Sequence, residues 1–135
     1  MSAIDRKPTA NALSVVVEDM AAALDFYRMC GLDIAEGAEA APHAEAAIGG
    51  FRIMFDTHDV VRTLLPGWEP GHGGHKMALA FECDEPDGVD RMHAALIGAG
   101  HRSSLAPFDA VWGQRYAAVH DPDGNVVDFY CALGT

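Results

Sequence analysis

The chain has 135 residues, half of them hydrophobic, and carries a formal net charge of −11 from twenty acids against nine Lys and Arg. This length and composition predict a single domain over residues 1–135 with a core of useful size. The acidic balance argues against nucleic acid and against an anionic membrane surface as partners, and no apolar run is long enough to span a bilayer.

Cysteine usage and the N-terminus bear on the cellular compartment. Cys30, Cys83 and Cys131 are odd in number and widely spaced, which favours reduced thiols that pack as small hydrophobes. Residues 1–8 lack the apolar core of a signal peptide. We therefore expect a cytoplasmic protein.

The first half of the chain predicts a strand, a helix and then further strands. Residues 12–17 are rich in β-branched side chains, and residues 19–30 are apolar at helical spacing, with Asp19 as the N-cap and Gly31 just past the end. Residues 33–47 are predicted to contain a strand. The remaining predicted strands of this half are 45–48 and 51–56, which flank a Gly-Gly turn. Residues 57–74, rich in Pro and Gly, are predicted to be a loop between the halves and a possible lid.

The same order of elements then recurs. Residues 76–83 predict a strand, and a helix follows with Asp84 or Asp87 as its cap and Gly100 at its end. A short strand over 102–105 and a hairpin of 114–120 with 125–131 complete this half, and the hairpin turn contains Pro122 and Gly124. The fold class predicted is α+β, with two βαβββ repeats, about 11–66 and about 75–133. They form a curved mixed sheet with helices on the convex face and a ligand pocket on the concave face.

Strand alternation predicts which side chains face the concave side. These residues combine small, polar and aromatic groups, as a ligand pocket requires, although small residues there can equally relieve crowding. The predicted set is Ala12, Ser14, Val16, Arg52, Met54, Asp56, Ala78, Ala80, Glu82, Val126, Asp128 and Tyr130. Within it we single out Ser14, Arg52, Met54 and Tyr130 as ligand-binding residues.

Three further residues near the final hairpin are candidates. Asp128 can anchor a ligand or act as a catalytic base, or it can pair with Arg52 or Arg115 across the sheet. Trp112 and Arg115 can stack on and hydrogen-bond a planar ligand, or they can close the core and pair with an acid. Both interpretations stay open for each residue. The histidines, including His72 and His75 around Gly73-Gly74, are interpreted as solvated or structural residues.

Three segments resemble the vicinal-oxygen-chelate superfamily of glyoxalases, bleomycin-resistance proteins and extradiol dioxygenases. They are 17–27, which closes on Phe26-Tyr27, residues 78–90, and the turn 121–125 with the three residues that follow it. The resemblance implies a divalent metal held by His, Glu or Gln from the first and last strand of each half. Those positions fall at Ala12, Met54, Ala78 and Asp128, of which only Asp128 is a possible ligand.

The resemblance therefore implies a metal-independent small-molecule-binding protein, with no metal ligand set and no cofactor assigned. A rival interpretation is a metal-dependent lyase, isomerase or dioxygenase with displaced ligands such as Asp128 and His75. A third is a metal-free enzyme in which Asp128 is the base and Arg115 stabilises developing negative charge. The resemblance also implies a homodimer.

Overall fold

The structure is a computed structural model that describes residues 9–71 and 77–134. Within these residues the strands form a three-stranded and a four-stranded sheet, so the α+β class with a repeated strand–helix–strands order is confirmed. The elements in chain order are β1 (Ala12–Val17), α1 (Met20–Met29), a 3-10 helix (Ala38–Ala40), β2 (His43–Ile48), β3 (Phe51–Thr57), α2 (His58–Leu64), β4 (Leu79–Glu82), α3 (Pro86–Gly98), β5 (Ser103–Ala110), β6 (Gln114–His120) and β7 (Val126–Ala132).

Both sheets are built by the same rule, because the first strand of each repeat pairs in parallel with the last strand of that repeat. The first sheet has the order β1-β3-β2, and the second has the order β4-β7-β6-β5. The register places Ser14 opposite Met54 in the first sheet and Ala80 opposite Asp128 in the second. The repeat seen in the sequence is thus a repeat of strand pairing.

The two helices of the repeats begin and end largely as their sequences predict. Asp19 Oδ1 accepts a hydrogen bond of 3.2 Å from the backbone N–H of Ala22 and caps α1. Gly31 has φ +102° and Gly100 has φ +100°, the left-handed conformation that ends a helix at little cost for glycine. At the start of α3 the prediction was wrong, since the cap residue is Glu85 rather than Asp84 or Asp87.

Three segments differ from the sequence predictions. Residues 33–42 form turns and a 3-10 helix instead of a strand, so the first repeat has three strands. The Arg28 guanidinium holds this segment, with Nη2 donating to Ala35 O at 2.7 Å and pairing with Glu39 at the same distance. Residues 58–64 form α2 instead of a loop, because the Thr57 hydroxyl caps that helix by accepting from Val60 N. The strand β5 is also longer than predicted and runs to Ala110.

The core lies between the helices and one face of each sheet. Val15, Ile53 and Phe55 of the first sheet are buried, as are Val127 and Phe129 of the second, and all belong to one apolar cluster. Helix α3 packs across β5, β6 and β7. The opposite face of each sheet, here called the open face, carries Ser14, Arg52 and Met54 in the first sheet and Asp128 and Tyr130 in the second. None of the helices within 9–71 and 77–134 combines the length and apolar composition needed to cross a bilayer.

Candidate functional site

The open face of the first sheet brings together three of the predicted ligand-binding residues. Ser14 on β1 lies opposite Met54 on β3, and Arg52 lies two residues earlier on the same strand. Met54 is half-buried, whereas Ser14 and Arg52 are exposed. The Ser14 hydroxyl donates a 3.2 Å hydrogen bond to Asp56 Oδ2.

A histidine that the sequence analysis interpreted as solvated or structural joins this face. His43 is the first residue of β2 and lies opposite Asp56 in the register. Its Nδ1 is 2.5 Å from Asp56 Oδ1 and its Nε2 is 2.8 Å from Glu45 Oε2. Arg52 Nη1 then donates to both oxygens of Glu45, at 3.1 and 3.2 Å. A continuous polar network therefore runs from Ser14 to Arg52.

The electrostatics of this network favour a charged imidazole. Hydrogen bonds to Asp56 and then to Glu45 raise the pKa of the His43 ring, while its partial burial acts the other way. The same contact with His43, together with the charge of Arg52, lowers the pKa of the Glu45 carboxyl. With both ring nitrogens engaged as donors, His43 orders its two carboxylates and offers no free nitrogen to a substrate.

The open face of the second sheet holds the predicted base Asp128. Alanines flank it on both neighbouring strands, Ala80 on β4 and Ala118 on β6, which leaves space above the carboxylate. Tyr116 and Tyr130 form the next cross-strand pair along the same face. Burial, and after it a hydrogen bond to Asp128, raises the pKa of Tyr116 to about 12. The Tyr116 phenol is therefore neutral and lies beside the Asp128 carboxylate at the floor of this face.

An aromatic cluster lies beside that carboxylate. The Trp112 ring is 5.6 Å from the Tyr116 ring and 6.2 Å from the Phe108 ring, in edge-on arrangements. The indole N–H donates to Gln114 Oε1 at 2.9 Å, which fixes the orientation of the ring. Trp112 nevertheless remains 59% exposed. Flat, exposed aromatic surface next to a carboxylate suits a ligand with an apolar planar part and a hydrogen-bond donor.

Arg115 does not join this face. It alternates with Tyr116 along β6 and points toward α3, where Nε and Nη2 donate to the two oxygens of Asp90 at 2.9 and 3.1 Å. Its Nη1 donates to Asp109 Oδ1 at 3.0 Å. All three contacts are to carboxylates that belong to the fold, so the structure places Arg115 as a tie between β6, β5 and α3 rather than beside Asp128.

The residues at the implied metal positions do not fit a divalent cation. Ala12 and Ala78 offer methyl groups, Met54 offers a thioether, and a hard or borderline cation needs oxygen or nitrogen donors. Asp128 alone supplies such a donor. Nowhere in residues 9–71 and 77–134 do three His, Cys, Asp or Glu side chains converge in a way that could hold a metal ion. His72 and His75, considered for a displaced site, lie outside the described residues.

The thiols are poorly placed for nucleophilic chemistry. Cys30 and Cys131 are buried, and Cys83 is half-buried. Burial, with a smaller contribution from the Asp121 charge, raises the pKa of the Cys30 thiol to about 12. Burial likewise raises the pKa of Cys83. Because the thiolate is the reactive form, both thiols behave as small apolar side chains at neutral pH.

A cleft of about 710 Å³ opens at the free edge of β1. Of the predicted site residues it contains Ser14 and not Asp128, Tyr130 or Trp112. The cleft is lined by residues 13–16, 18, 27, 58, 68, 70–71, 77–79 and 122–127.

Comparisons with known proteins agree with the architecture. The family model of the Glyoxalase/Bleomycin resistance protein/Dioxygenase superfamily matches residues 9–129, and the chain belongs to this superfamily. A family enzyme from Burkholderia phytofirmans PsJN has a similar structure, with a TM-score of 0.80, 22% identity and coverage of 93% of this chain and 100% of that one. Lactoylglutathione lyase from Agrobacterium tumefaciens is also similar, with a TM-score of 0.66, 17% identity and coverage of 93% and 95%. At these identities the likeness shows the fold.

An uncharacterized protein of Mycobacterium tuberculosis H37Rv is 29% identical over 119 residues, which cover 82% of this chain and 67% of that protein. The superfamily resemblance seen in the sequence is confirmed by the family model, which matches residues 9–129.

Sequence reasoning missed several members of the two open faces. His43 and Glu45 were not identified, because their strand was predicted to begin near Glu45 and its register was unknown. The sequence did offer one clue, because His43 and Glu45 are two residues apart and side chains at that spacing share one face of a strand. Phe108 was missed because β5 was predicted to stop at residue 105.

Proposed function

We propose that this chain is a small-molecule-binding protein of its superfamily, with a ligand held on the open sheet faces without a divalent metal. The observation that carries the proposal is the donor set at the implied metal positions, where two methyl groups and a thioether accompany one carboxylate. The open faces keep the other properties of a ligand site, namely space above Asp128, flat aromatic surface and hydrogen-bonding groups.

The second open face is the stronger half of the proposed site. Asp128 and the Tyr116 hydroxyl supply polar anchors, and Trp112 supplies an exposed ring whose orientation is fixed by Gln114. Such a face suits a planar or partly aromatic molecule that donates a hydrogen bond to the carboxylate. Ser14, Arg52, Met54 and Tyr130 keep the ligand-binding role expected from the sequence, Asp128 serves as the anchor, and Arg115 does not contribute directly.

A metal-free reaction that pairs Asp128 with Arg115 is not favoured. Such a mechanism requires both groups near the same reacting atoms, and the two side chains lie on opposite faces of the second sheet. Any charge developing near Asp128 would instead meet the Tyr116 phenol, which is a weak hydrogen-bond donor to an anion by comparison with a guanidinium.

The test is a thermal-shift screen of metabolites and antibiotics in the presence of a chelator. We expect hits whose stabilisation is unchanged by chelation and is weakened by Asp128→Asn and by Trp112→Ala. Glu36→Gln, an exposed acid elsewhere, is the matched control and should leave the hits unchanged. Hits that appear only when Mn, Fe, Ni or Zn is added would contradict the proposal.

We also propose that the chain forms a homodimer, as the resemblance implies. Several large apolar side chains are exposed in the single chain, among them Leu64, Leu65, Val111 and Trp112. Exposed apolar surface of this kind is typical of contact surfaces. Sedimentation equilibrium should give twice the chain mass, and a monomer at micromolar concentration would contradict this proposal.

A further inference from the structure

Two of the three cysteines lie on neighbouring strands of the second sheet. Cys131 belongs to β7, and Cys83 directly follows the last residue of β4. The parallel register of these strands ends with Glu82 opposite Tyr130, so the next residue on each strand is a cysteine. The Cys83 backbone N–H donates to Tyr130 O at 2.8 Å and extends the same ladder by one residue. Cys83 and Cys131 are therefore opposed across the two strands.

The side chains of the two cysteines lie on the same face of the sheet. Two residues earlier on each strand, Phe81 and Phe129 are opposed in the register, and their rings stack at 5.7 Å. Side chains two residues apart share one face of a strand, so both thiols lie on the face that packs against the helices. Their burial agrees, because Cys131 belongs to the apolar core and the half-buried Cys83 packs against it.

Opposed residues on neighbouring strands meet the main geometric requirement of a disulfide. Neighbouring strands are about 4.8 Å apart, and disulfides join residues whose Cα atoms are about 4.4–6.8 Å apart. Both sulfurs are free thiols. Burial, and after it the charge of Cys131, raises the pKa of the Cys83 thiol, so the two sulfurs are near enough to interact.

The third cysteine is in a different part of the fold. Cys30 is the residue that ends α1 in the first repeat, and it is buried there. The same chain thus contains one opposed pair of thiols and one thiol outside the second sheet, which serves as an internal comparison.

We propose that Cys83 and Cys131 form a reversible disulfide when a small organic disulfide, such as oxidised glutathione, is the oxidant. The thiolate of the more exposed Cys83 attacks one sulfur of the oxidant, which gives a mixed disulfide and releases one glutathione. The Cys131 thiolate then attacks the Cys83 sulfur, closes the protein disulfide and releases the second glutathione. The two electrons lost by the chain reduce the S–S bond of the oxidant, and the two thiol protons end on the released glutathiones.

The rate and the equilibrium of this exchange depend on different properties. The raised pKa of Cys83 leaves little thiolate at neutral pH, so both thiols stay reduced until an oxidant has had time to react. The equilibrium depends instead on how closely the folded chain holds the two sulfurs together. The strand register supplies that proximity.

The disulfide would tie down the edge of the second sheet. Strand β4 has only four residues, and within the sheet it pairs only with β7. Strand β7 carries Asp128 opposite Ala80 of β4, on the open face. The modification site is on the other face of the same two strands, and it does not depend on the proposed ligand site.

Tryptic peptides of the unchanged chain reveal the pairing directly. Cleavage after Lys and Arg places Cys30 in residues 29–52, Cys83 in 77–91 and Cys131 in 116–135. The native chain is incubated with oxidised glutathione at about pH 8.5, where more thiolate is present, and free thiols are then blocked with iodoacetamide in urea. Mass spectrometry without reduction should show 77–91 joined to 116–135, and dithiothreitol should separate them.

Oxidation of the chain in urea is the control for this experiment. Without the strand register, all three pairings of the thiols should appear. In native Cys30→Ala, titration with mixtures of reduced and oxidised glutathione should give an effective thiol concentration at least about tenfold higher than in urea, because folding holds the two sulfurs together.

The thermal midpoint supplies a second measurement. The oxidised chain should unfold about 5–15 °C above the reduced chain, because the bond closes the long loop between residues 83 and 131. Cys30→Ala should keep this shift and Cys83→Ser should lose it.

Three results would overturn the proposal. They are a native cross-link that contains residues 29–52 in place of the expected one, glutathione adducts or unreacted thiols without a cross-link, and equal effective concentrations in the native and the unfolded chain. Peptide mapping uses the unchanged chain, so it decides the question even if a cysteine variant does not fold.

Discussion

The phenol of Tyr27 donates a 2.8 Å hydrogen bond to Asp121 Oδ2, and both residues are buried. The bond joins α1 of the first repeat to the turn before β7 in the second. Asp121 also accepts from Asp123 N, Asn125 N and Asn125 Nδ2, so its carboxylate is saturated by donors although only 4% of the residue is exposed. Burial, reinforced by Asp121, raises the pKa of the Tyr27 phenol and keeps it protonated. Two of the three segments that carry the family resemblance are therefore in direct contact.

Among the residues that the structure describes, Tyr27 is the only donor that reaches Asp121 from the first repeat, and Tyr27→Phe removes it. We expect the free energy of unfolding to fall by about 1.5–3 kcal/mol, the usual range for a hydrogen bond to a charged group. Urea denaturation measures this loss. Tyr130→Phe, whose hydroxyl makes no hydrogen bond within the described residues, is the control and should change stability far less. Equal effects of the two substitutions would contradict the role assigned to the Tyr27–Asp121 bond.

Two glycines near the end of α3 should respond to alanine with opposite signs. Gly100 has φ +100°, so Gly100→Ala forces a side chain into the left-handed region and should cost about 1 kcal/mol. Gly98 is the last residue of the helix and has open space around it. Gly98→Ala should stabilise the protein by about 0.5–1 kcal/mol. Thermal unfolding measures the stability of both variants. Changes of the same sign in the two variants would contradict the position assigned to the end of α3.

The His43 network predicts a pH dependence of stability. The folded-state pKa of His43 is raised above the ordinary value of 6.5. The stability that the charged His43 contributes is therefore fully present below pH 6.5 and is lost as the pH rises through the raised pKa. The stability difference between the wild type and His43→Gln should therefore shrink from about pH 5 to about pH 9.

An NMR titration of the His43 ring measures the raised pKa directly. Asp56→Asn and Glu45→Gln should each lower it, and the first should lower it more, since the contact with Asp56 is the larger cause. A ring that titrates at 6.5 in the wild type would show that the network does not form.

Arg115→Lys separates a structural role from a ligand-binding role. Lysine cannot reproduce the bidentate contact with Asp90, so the variant should lower the unfolding midpoint. Arg115 holds the pKa of the Asp90 carboxyl below its ordinary value of 3.8, so the stability that this pair contributes is present above that pH and is lost as pH falls through the lowered pKa. Affinity for ligands found in the screen should stay the same. A large loss of ligand affinity at unchanged stability would show that Arg115 takes part in ligand binding.

The sequence was most informative where short-range rules decide the structure. Asp19 and Gly31 marked the ends of α1, and alternation along β1 correctly put Ser14 on the exposed face, opposite to that of the buried Val15. These features depend on neighbours within a few residues. The segment 33–42 failed because its conformation depends on Arg28, whose guanidinium reaches across to Ala35 and Glu39.

The errors in the predicted site arose because the alignment of strands that are distant in the chain cannot be deduced from local sequence patterns. Ser14, Asp56 and His43 meet only because β1 and β2 flank β3 in one particular alignment. The alternative that Arg115 pairs with an acid was weighed from the sequence, but its partner Asp90 is on a helix whose packing angle no local pattern reveals. Helix α2 was missed because the Pro and Gly residues after it dominated the interpretation of the whole segment.

Metal analysis of the purified protein tests the central claim most directly. The chain is expressed in medium supplemented with Mn, Fe, Ni and Zn, purified without chelator, and its metal content is measured by mass spectrometry beside an Asp128→Ala variant. We predict a content far below one metal per chain, equal in the two proteins, while the wild type still binds the ligands found in the screen. One stoichiometric metal in the wild type that is lost in Asp128→Ala would contradict the account.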